Sequence, residues 1–327
     1  MKVLISGYYG YQNWGDESLL TGLLGQLIQY GHQPTVFSAK PETTEKLHKV
    51  KAVHRYKAVL PALLQTDALI SGGGGLLQDK TSRRSLKYYL GLIRLAKVLG
   101  KKVIIYGQSV GPLSDWGKGS VKRALRNTCI AVRDEASQAL LKTLGLDSSL
   151  VADAALLMPA PENVEKAARV LLIPRHGYPE ITSALAALAR ALTDLDRPVA
   201  MTAVQPDEDD RELERLLHTV PSVKYLPAKT PQELLAIISG SSYVVSARLH
   251  GLVLAARAGT AYAGLIYDPK VRAFLTETGA HAFDLPIDEE KLVLTVLEQK
   301  RQDDALVQAM MGRATEGMAW LNTQLES

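Results

Sequence analysis

Short apolar, largely β-branched runs recur along the chain and alternate with longer amphipathic stretches. Val3-Leu4-Ile5, Thr35-Val36-Phe37, Ala68-Leu69-Ile70, Val103-Ile104-Ile105 and Ile130-Ala131-Val132 make a first series. After Met158-Pro159-Ala160-Pro161 the pattern restarts with Val170-Leu171-Leu172-Ile173. It continues through Val199-Ala200-Met201-Thr202, Val223-Lys224-Tyr225, Tyr243-Val244-Val245 and Ala263-Gly264-Leu265-Ile266. Continuous apolar strands separated by helices predict parallel sheets covered on both faces. The expected class is therefore α/β, with two Rossmann-like doubly wound domains facing a cleft. The proline-rich patch at 159–161 reads as the linker. The expected division is an N-terminal domain over 1–158, a C-terminal domain over 166–302 and a closing amphipathic helix over 303–327. That helix would turn Leu306, Met310, Met311, Met318, Trp320 and Leu321 to its apolar side.

Composition narrows the picture slightly. The 327 residues are 46% hydrophobic and 22% charged, ordinary values for a soluble globular protein. No apolar run approaches the ~20 residues of a membrane span, and Met1 leads straight into a strand, so a cytoplasmic protein is expected. The seven histidines form no ligand-spaced pair, so neither a metal nor another cofactor is expected. Net charge is only +4 but unevenly spread: between Asp79 and Asp134 thirteen Lys and Arg residues face one acid, Asp115. Such a stretch predicts a positive face toward phosphates, whether on a substrate, a lipid carrier or an anionic membrane. No aromatic-basic interleaving argues for nucleic acid.

In doubly wound sheets ligands bind beyond the carboxyl ends of the strands, so the strand-to-helix turns carry the chemistry. The first turn, Gly7 to Glu17, is glycine-rich without dinucleotide spacing; its aromatics and Asn13 suggest a surface that stacks a sugar, and Asp16 and Glu17 suit a helix start or an acid. The second, Ser71 to Asp79, holds Gly73, Gly74 and Gly75 in a run of four glycines whose backbone N–H groups suit a phosphate cradle, followed by Arg83 and Arg84. A third ends in Gln108-Ser109, and a fourth places Arg133 before Asp134 and Glu135, where it either pairs locally or grips a substrate carboxylate. Pro174-Arg175-His176-Gly177 reads as readily as a solvated loop. Arg248-Leu249-His250-Gly251 and Tyr267-Asp268-Pro269-Lys270 each open a helix, with Asp268 as N-cap and Gly259 ending the helix that His250 begins. A cation in the first turn opposes the helix dipole, so His250 and Lys270 together predict a shared anion.

Taken in order, "GYYGYQNWGDE", "SGGGGLLQD", "YGQSVGP", "AVRDEAS", "SARLHG" and "IYDPKV" resemble the polysaccharide pyruvyl transferase family, in particular the branch that decorates bacterial secondary cell-wall polysaccharide and so serves S-layer anchoring. The resemblance implies a GT-B-like architecture and transfer of the pyruvyl group of phosphoenolpyruvate to two hydroxyls of a sugar, leaving a cyclic ketal and free phosphate. It implies that His250, Lys270 and Arg84 or its neighbour Arg83 serve donor binding and catalysis. Arg133, Arg248, Gly73, Gly74, Gly75, Ser109, Gly251, Asn13, Asp16, Glu17 and Asp79 are the further substrate-binding candidates. His250 is the expected base. Asp16, Glu17, Asp79, Asp134 and a recycled His250 remain alternatives for protonating the methylene carbon. The implied acceptor is a carbohydrate, free or lipid-linked, with peripheral contact at the inner membrane surface as an option. The rival reading is a GT-B glycosyltransferase using a nucleotide sugar; it lacks a ribose-binding carboxylate, because no Asp or Glu occurs between Glu233 and Asp268.

Overall fold

A computed structural model describes residues 1–162 and 164–327. The chain forms two compact units. The first comprises Met1–Tyr11, Leu19–Met158 and Met311–Ser327; the second comprises Gln12–Ser18 and Pro159–Met310. This grouping differs from a serial division, because residues 12–18 join the second unit and the end of the chain joins the first.

The first unit holds β1 (Lys2–Ser6), β2 (Gln33–Ser38), β3 (Lys51–His54), β4 (Ala68–Gly72), β5 (Lys102–Gln108), β6 (Cys129–Val132) and β7 (Ser149–Leu150) in the order β3-β2-β1-β4-β5-β6-β7. All pairings are parallel. Its helices are α1 (Trp14–Gln29, whose first turn groups with the second unit), α2 (Pro41–His48), α3 (Val59–Leu64), α4 (Arg83–Val98), α5 (Asp115–Leu125) and α6 (Glu135–Thr143). The second unit holds β8 (Val170–Ile173), β9 (Val199–Met201), β10 (Lys224–Tyr225), β11 (Tyr243–Ser246), β12 (Ala261–Leu265) and β13 (His281–Phe283), again parallel, in the order β10-β9-β8-β11-β12-β13. Its helices are α7 (Pro179–Asp194), α8 (Pro206–Thr219), α9 (Pro231–Ser239), α10 (Leu249–Ala258), α11 (Pro269–Glu277) and α12 (Glu289–Leu297), followed by α13 (Asp304–Glu326).

Each sheet reverses strand order once, between β1 and β4 and between β8 and β11. These are the switch points at which doubly wound folds bind ligands. The apolar runs are buried because each central strand is covered on both faces: Leu4, Leu69 and Ile105 in one core, Leu172, Val245 and Ala263 in the other, are all at 0% exposure. Three strands, β3, β7 and β13, carry no continuous apolar run. All three lie at sheet edges, where burial is partial. On α13 the buried stripe is Val307, Met310, Ala314, Met318, Leu321 and Leu325; Leu306 lies off it and is exposed, contrary to expectation.

Helix α1 meets its surroundings through glycine. A Cβ added at Gly22 would stand 1.9 Å from the carbonyl oxygen of Ala154, so the helix backbone lies directly against the chain there. Gly→Ala inside a helix ordinarily gains up to about 1 kcal/mol. Here overpacking outweighs that gain, and we expect Gly22→Ala to destabilise the protein by about 1–3 kcal/mol in denaturant unfolding.

Candidate active site

Electrostatics at the helix starts single out a few turns. Of the thirteen α-helices among the described residues, nine place an acid in the first turn, where the dipole favours it. Helices α3, α4, α10 and α11 do not. The last three carry cations instead: Arg83 and Arg84 on α4, His250 on α10 and Lys270 on α11. Helices α10 and α11 follow the paired strands β11 and β12, so their starts are neighbours at one edge of the second sheet.

At α10 the local sequence explains the geometry. Arg248 sits at the N-cap, where it has no acceptor to turn inward, and α10 has no side-chain cap. Gly251 is needed for packing: a Cβ there would lie 2.4 Å from Ser246 Oγ and 2.8 Å from Ile173 Cδ1. Gly251, an expected substrate-binding residue, is buried under these contacts. Gly259 closes the helix in the left-handed region, φ 65°.

Arg248 is answered from within. It is 7% exposed, and its Nε donates to Asp209 Oδ2 at 3.0 Å while Nη2 pairs with Asp209 Oδ1. Nη1 reaches Gln205 Oε1 and Nη2 reaches Glu208 Oε2, both at 3.3 Å. Burial lowers the guanidinium pKa, but the charge and hydrogen bonds of Asp209 outweigh it and raise the value overall. Arg248, an expected substrate-binding residue, is held as a buried strut between α10 and the start of α8.

The same strut reaches the first motif. Asn13 Nδ2 donates to Gln205 Oε1 at 3.3 Å and to Asp16 Oδ2 at 2.6 Å, Asn13 Oδ1 accepts from the N–H of Gly15, and the N–H of Trp14 donates to the carbonyl of Val204 at 2.8 Å. These contacts fold residues 12–18 onto the second unit, although the sequence suggested they belong with the first. Gly15 faces His250 directly: a Cβ there would lie 2.3 Å from Nδ1 and 2.6 Å from Cγ of the imidazole. Glu17 is also buried, at 2% exposure.

Lys270 follows Asp268, whose carboxylate accepts from the Lys270 N–H at 3.0 Å and stands 4.0 Å from its Nζ. The Lys270 side chain is 40% exposed. Arg175, in a turn that the sequence left open between a solvated loop and a site, follows β8 at the switch point, and its guanidinium lies over the Tyr267 ring at 4.4 Å, with the Tyr178 ring 4.9 Å from that of Tyr267. Burial pushes the Tyr267 phenol up, against the opposing pull of Arg175 and Arg248. The signal for Arg175 was its place after the first strand of the second series.

In the first unit the glycine run behaves in two ways. Gly73 and Gly74 hold φ of 71° and 74°, conformations reserved for glycine. The Gly73 N–H donates to the Tyr106 carbonyl at 3.0 Å and the Gly74 carbonyl accepts from Ser109 at 2.9 Å. The cradle expected at Gly73 is thus closed by backbone, while the N–H groups of Gly74 and Gly75 donate to nothing among the described residues. Asp79 is taken up by Ser114, whose N–H and hydroxyl both donate to it. Slight burial raises its pKa, but these hydrogen bonds and Arg83 hold it below the ordinary carboxylate range, which suits a fixed acceptor and not an acid. Arg83 lies over Trp116 at 5.3 Å, with Lys87 at 5.6 Å from the same ring. Arg84 is exposed and makes no hydrogen bond or ion pair among the described residues.

Arg133 and Ser109 belong to a buried network. Arg133 Nη1 pairs with Asp153 Oδ2 at 2.6 Å, both side chains 6% exposed; its Nε donates to Ser109 Oγ, and the Ser109 hydroxyl donates to Asp134 Oδ2. Asp134 also caps α6 through Ser137 N–H. The carboxylate that Arg133 grips is the chain's own. In the first turn, Tyr9 and Trp14 are buried, at 1% and 8% exposure, so the expected stacking surface reduces to Tyr8 and Tyr11, whose rings stack at 4.2 Å.

The sequence matches the polysaccharide pyruvyl transferase family over residues 13–269. The chain belongs to that family. No curated protein matches the sequence. Among solved structures the fold is similar to the UDP-GlcNAc 2-epimerase of Methanocaldococcus jannaschii (TM-score 0.68, 10% identity, covering 100% of this chain and 99% of that one). It is also similar to Anabaena Alr3699/HepE in complex with UDP and glucose (TM-score 0.60, 10% identity, 100% and 98%) and to Acinetobacter baumannii MurG (TM-score 0.56, 13% identity, 98% and 99%). At these identities the likeness shows the fold alone, a GT-B-like pair of Rossmann-like domains. No helix among the described residues is long and apolar enough to cross a membrane.

For a pyruvyl transferase, contact between Gly15 and His250 places the imidazole by steric fit. Displacing a reacting group by ~1 Å costs on the order of 10²-fold in rate. Gly15→Ala should therefore lower turnover by about that factor, with a circular dichroism spectrum like that of the wild type; unchanged turnover would show that His250 is not positioned by this contact.

Proposed function

We propose that the protein transfers the pyruvyl group of phosphoenolpyruvate onto a sugar of a cell-wall polysaccharide, or of its lipid-linked precursor, as a cyclic ketal. The observation that supports this reading is the pair of neighbouring helix starts at α10 and α11, which carry His250 and Lys270 in place of acids, with α10 uncapped. Such a place favours a small, highly charged anion. Phosphoenolpyruvate carries a phosphate and a carboxylate, and Lys270 and Arg175 offer one compact cation and one planar, bidentate one. The family resemblance also implies a donor-binding role for Arg83 or Arg84, without choosing between them. No cofactor enters the scheme.

The reaction balances without a redox partner. One sugar hydroxyl attacks the central carbon of the donor, giving its proton to His250, while the methylene carbon gains a proton and becomes a methyl group. The second hydroxyl then forms the other C–O bond as the bond to phosphate breaks, and its proton leaves with the phosphate. A histidine imidazole is the side chain most often used to accept such a proton. The candidates for protonating the methylene carbon are Asp16, Glu17, Asp79, Asp134 and returning His250; of these, Asp16, Asp79 and Asp134 already accept hydrogen bonds within the chain.

The basic stretch on α4 and α5, with Trp116 between Arg83 and Lys87, supports a peripheral location at the anionic cytoplasmic membrane face, where a lipid-linked acceptor would be met. The rival nucleotide-sugar reading draws on the UDP-bound relatives of the same fold. It lacks a ribose-binding carboxylate, since no Asp or Glu occurs between Glu233 and Asp268.

The deciding experiment separates binding from chemistry. Phosphoenolpyruvate should raise the melting temperature, and UDP sugars should not. Lys270→Ala should abolish most of that shift. His250→Gln should keep it but lose on the order of 10²–10⁴-fold in phosphate release with a glycan acceptor. Stabilisation by UDP sugars alone would favour the glycosyltransferase.

A further inference from the structure

A second cation in the first unit is buried without any acid beside it. Arg55 follows β3 and is 4% exposed. Its guanidinium lies 4.6 Å from the ring centre of Tyr88, 5.2 Å from Tyr56, 5.5 Å from Tyr89 and 5.7 Å from Tyr11. Nη2 donates to the Tyr89 hydroxyl at 3.2 Å and Nη1 to that of Tyr11 at 3.4 Å, while the buried Nε–H has no partner. Burial lowers the guanidinium pKa, but the surrounding tyrosines raise it overall, and no carboxylate contributes. Buried charges are normally met by an opposite charge. Here neutral ring faces hold the cation, and one N–H remains unused.

The backbone gives this arrangement a setting. The Arg55 N–H donates to the Ser38 carbonyl and the Arg55 carbonyl accepts from the Tyr88 hydroxyl, which fix the residue beyond the carboxyl ends of β2 and β3. That is the ligand-binding edge of the sheet. The rim is aromatic and partly exposed: the stacked pair Tyr8 and Tyr11, and Tyr56, which is 61% exposed and forms the outer wall. Phenol faces stack on the C–H face of a sugar, and a guanidinium recognises phosphoryl or carboxylate oxygens.

We infer that Arg55, with Tyr8, Tyr11 and Tyr56 around it, forms a binding subsite for a sugar that bears an oxyanion, either a phosphoryl or a carboxylate group. This deepens the proposed function and rests on it, because it specifies that the acceptor glycan is charged near the sugar held here.

The test uses the full-length protein and three probes: N-acetylglucosamine 1-phosphate, glucuronic acid and neutral N-acetylglucosamine. Amide hydrogen exchange is followed over residues 8–11 and 54–57. At a probe concentration about ten times Kd, exchange in both segments should slow about tenfold with a charged sugar and stay unchanged with the neutral one. Which charged sugar protects identifies the oxyanion as phosphoryl or carboxylate. In Arg55→Met the protection should vanish while the thermal shift with phosphoenolpyruvate persists. If that variant does not fold, the wild-type contrast between charged and neutral sugars decides alone. Equal protection by all three sugars, protection by none, or protection surviving in folded Arg55→Met would overturn the inference. A lost phosphoenolpyruvate shift in the wild type would instead count against the donor assignment, leaving the sugar result to be read separately.

Discussion

A parallel sheet gathers the positive ends of its helices along one edge, and the fate of that charge organises this protein. Nine of the thirteen α-helices among the described residues place an acid in the first turn. Helices α4, α10 and α11 carry basic residues there; α4 and α11 are capped by Ser82 and Asp268, and α10 alone of the three has no side-chain cap. The proposed anion site rests on these turns.

The buried cations divide into two kinds. Arg133 and Arg248 are matched to Asp153 and Asp209 inside their own units, and they hold loops that carry other site residues. Arg248, through Gln205, steadies Asn13 and with it the turn that presents Gly15 to His250. Removing one partner of such a pair typically costs about 3–5 kcal/mol, so these arginines shape the site by rigidity. Lys270, Arg175 and Arg84 are more exposed; the proposed binding roles fall to these, and the buried arginines hold the turns.

Much of this was legible in the sequence. The apolar runs gave the central strands, and Asp268-Pro269 and Gly259 marked helix ends whose chemistry is local. The family motifs lie at the strand-to-helix turns of both sheets. What the sequence hid is non-local. Asp209 lies nearly forty residues before its partner Arg248, and Asp153 twenty residues after Arg133, so neither pairing leaves a spacing signal. Edge strands such as β3 and β13 bury too little to show an apolar run. In the glycine run read as a cradle, the Gly73 N–H is taken by the Tyr106 carbonyl, while those of Gly74 and Gly75 donate to nothing among the described residues; Gly15 and Gly251 make room for neighbouring side chains.

The central claim is that the anion awaited at α10 and α11 is the donor. It is tested most directly by locating the phosphorus of bound phosphoenolpyruvate in a crystal of the full chain. The account predicts the phosphate within hydrogen-bond reach of Lys270 Nζ and of the opening amides of α10 or α11, with the central carbon facing His250. Phosphoenolpyruvate bound away from both helix starts, with those turns empty, would contradict it.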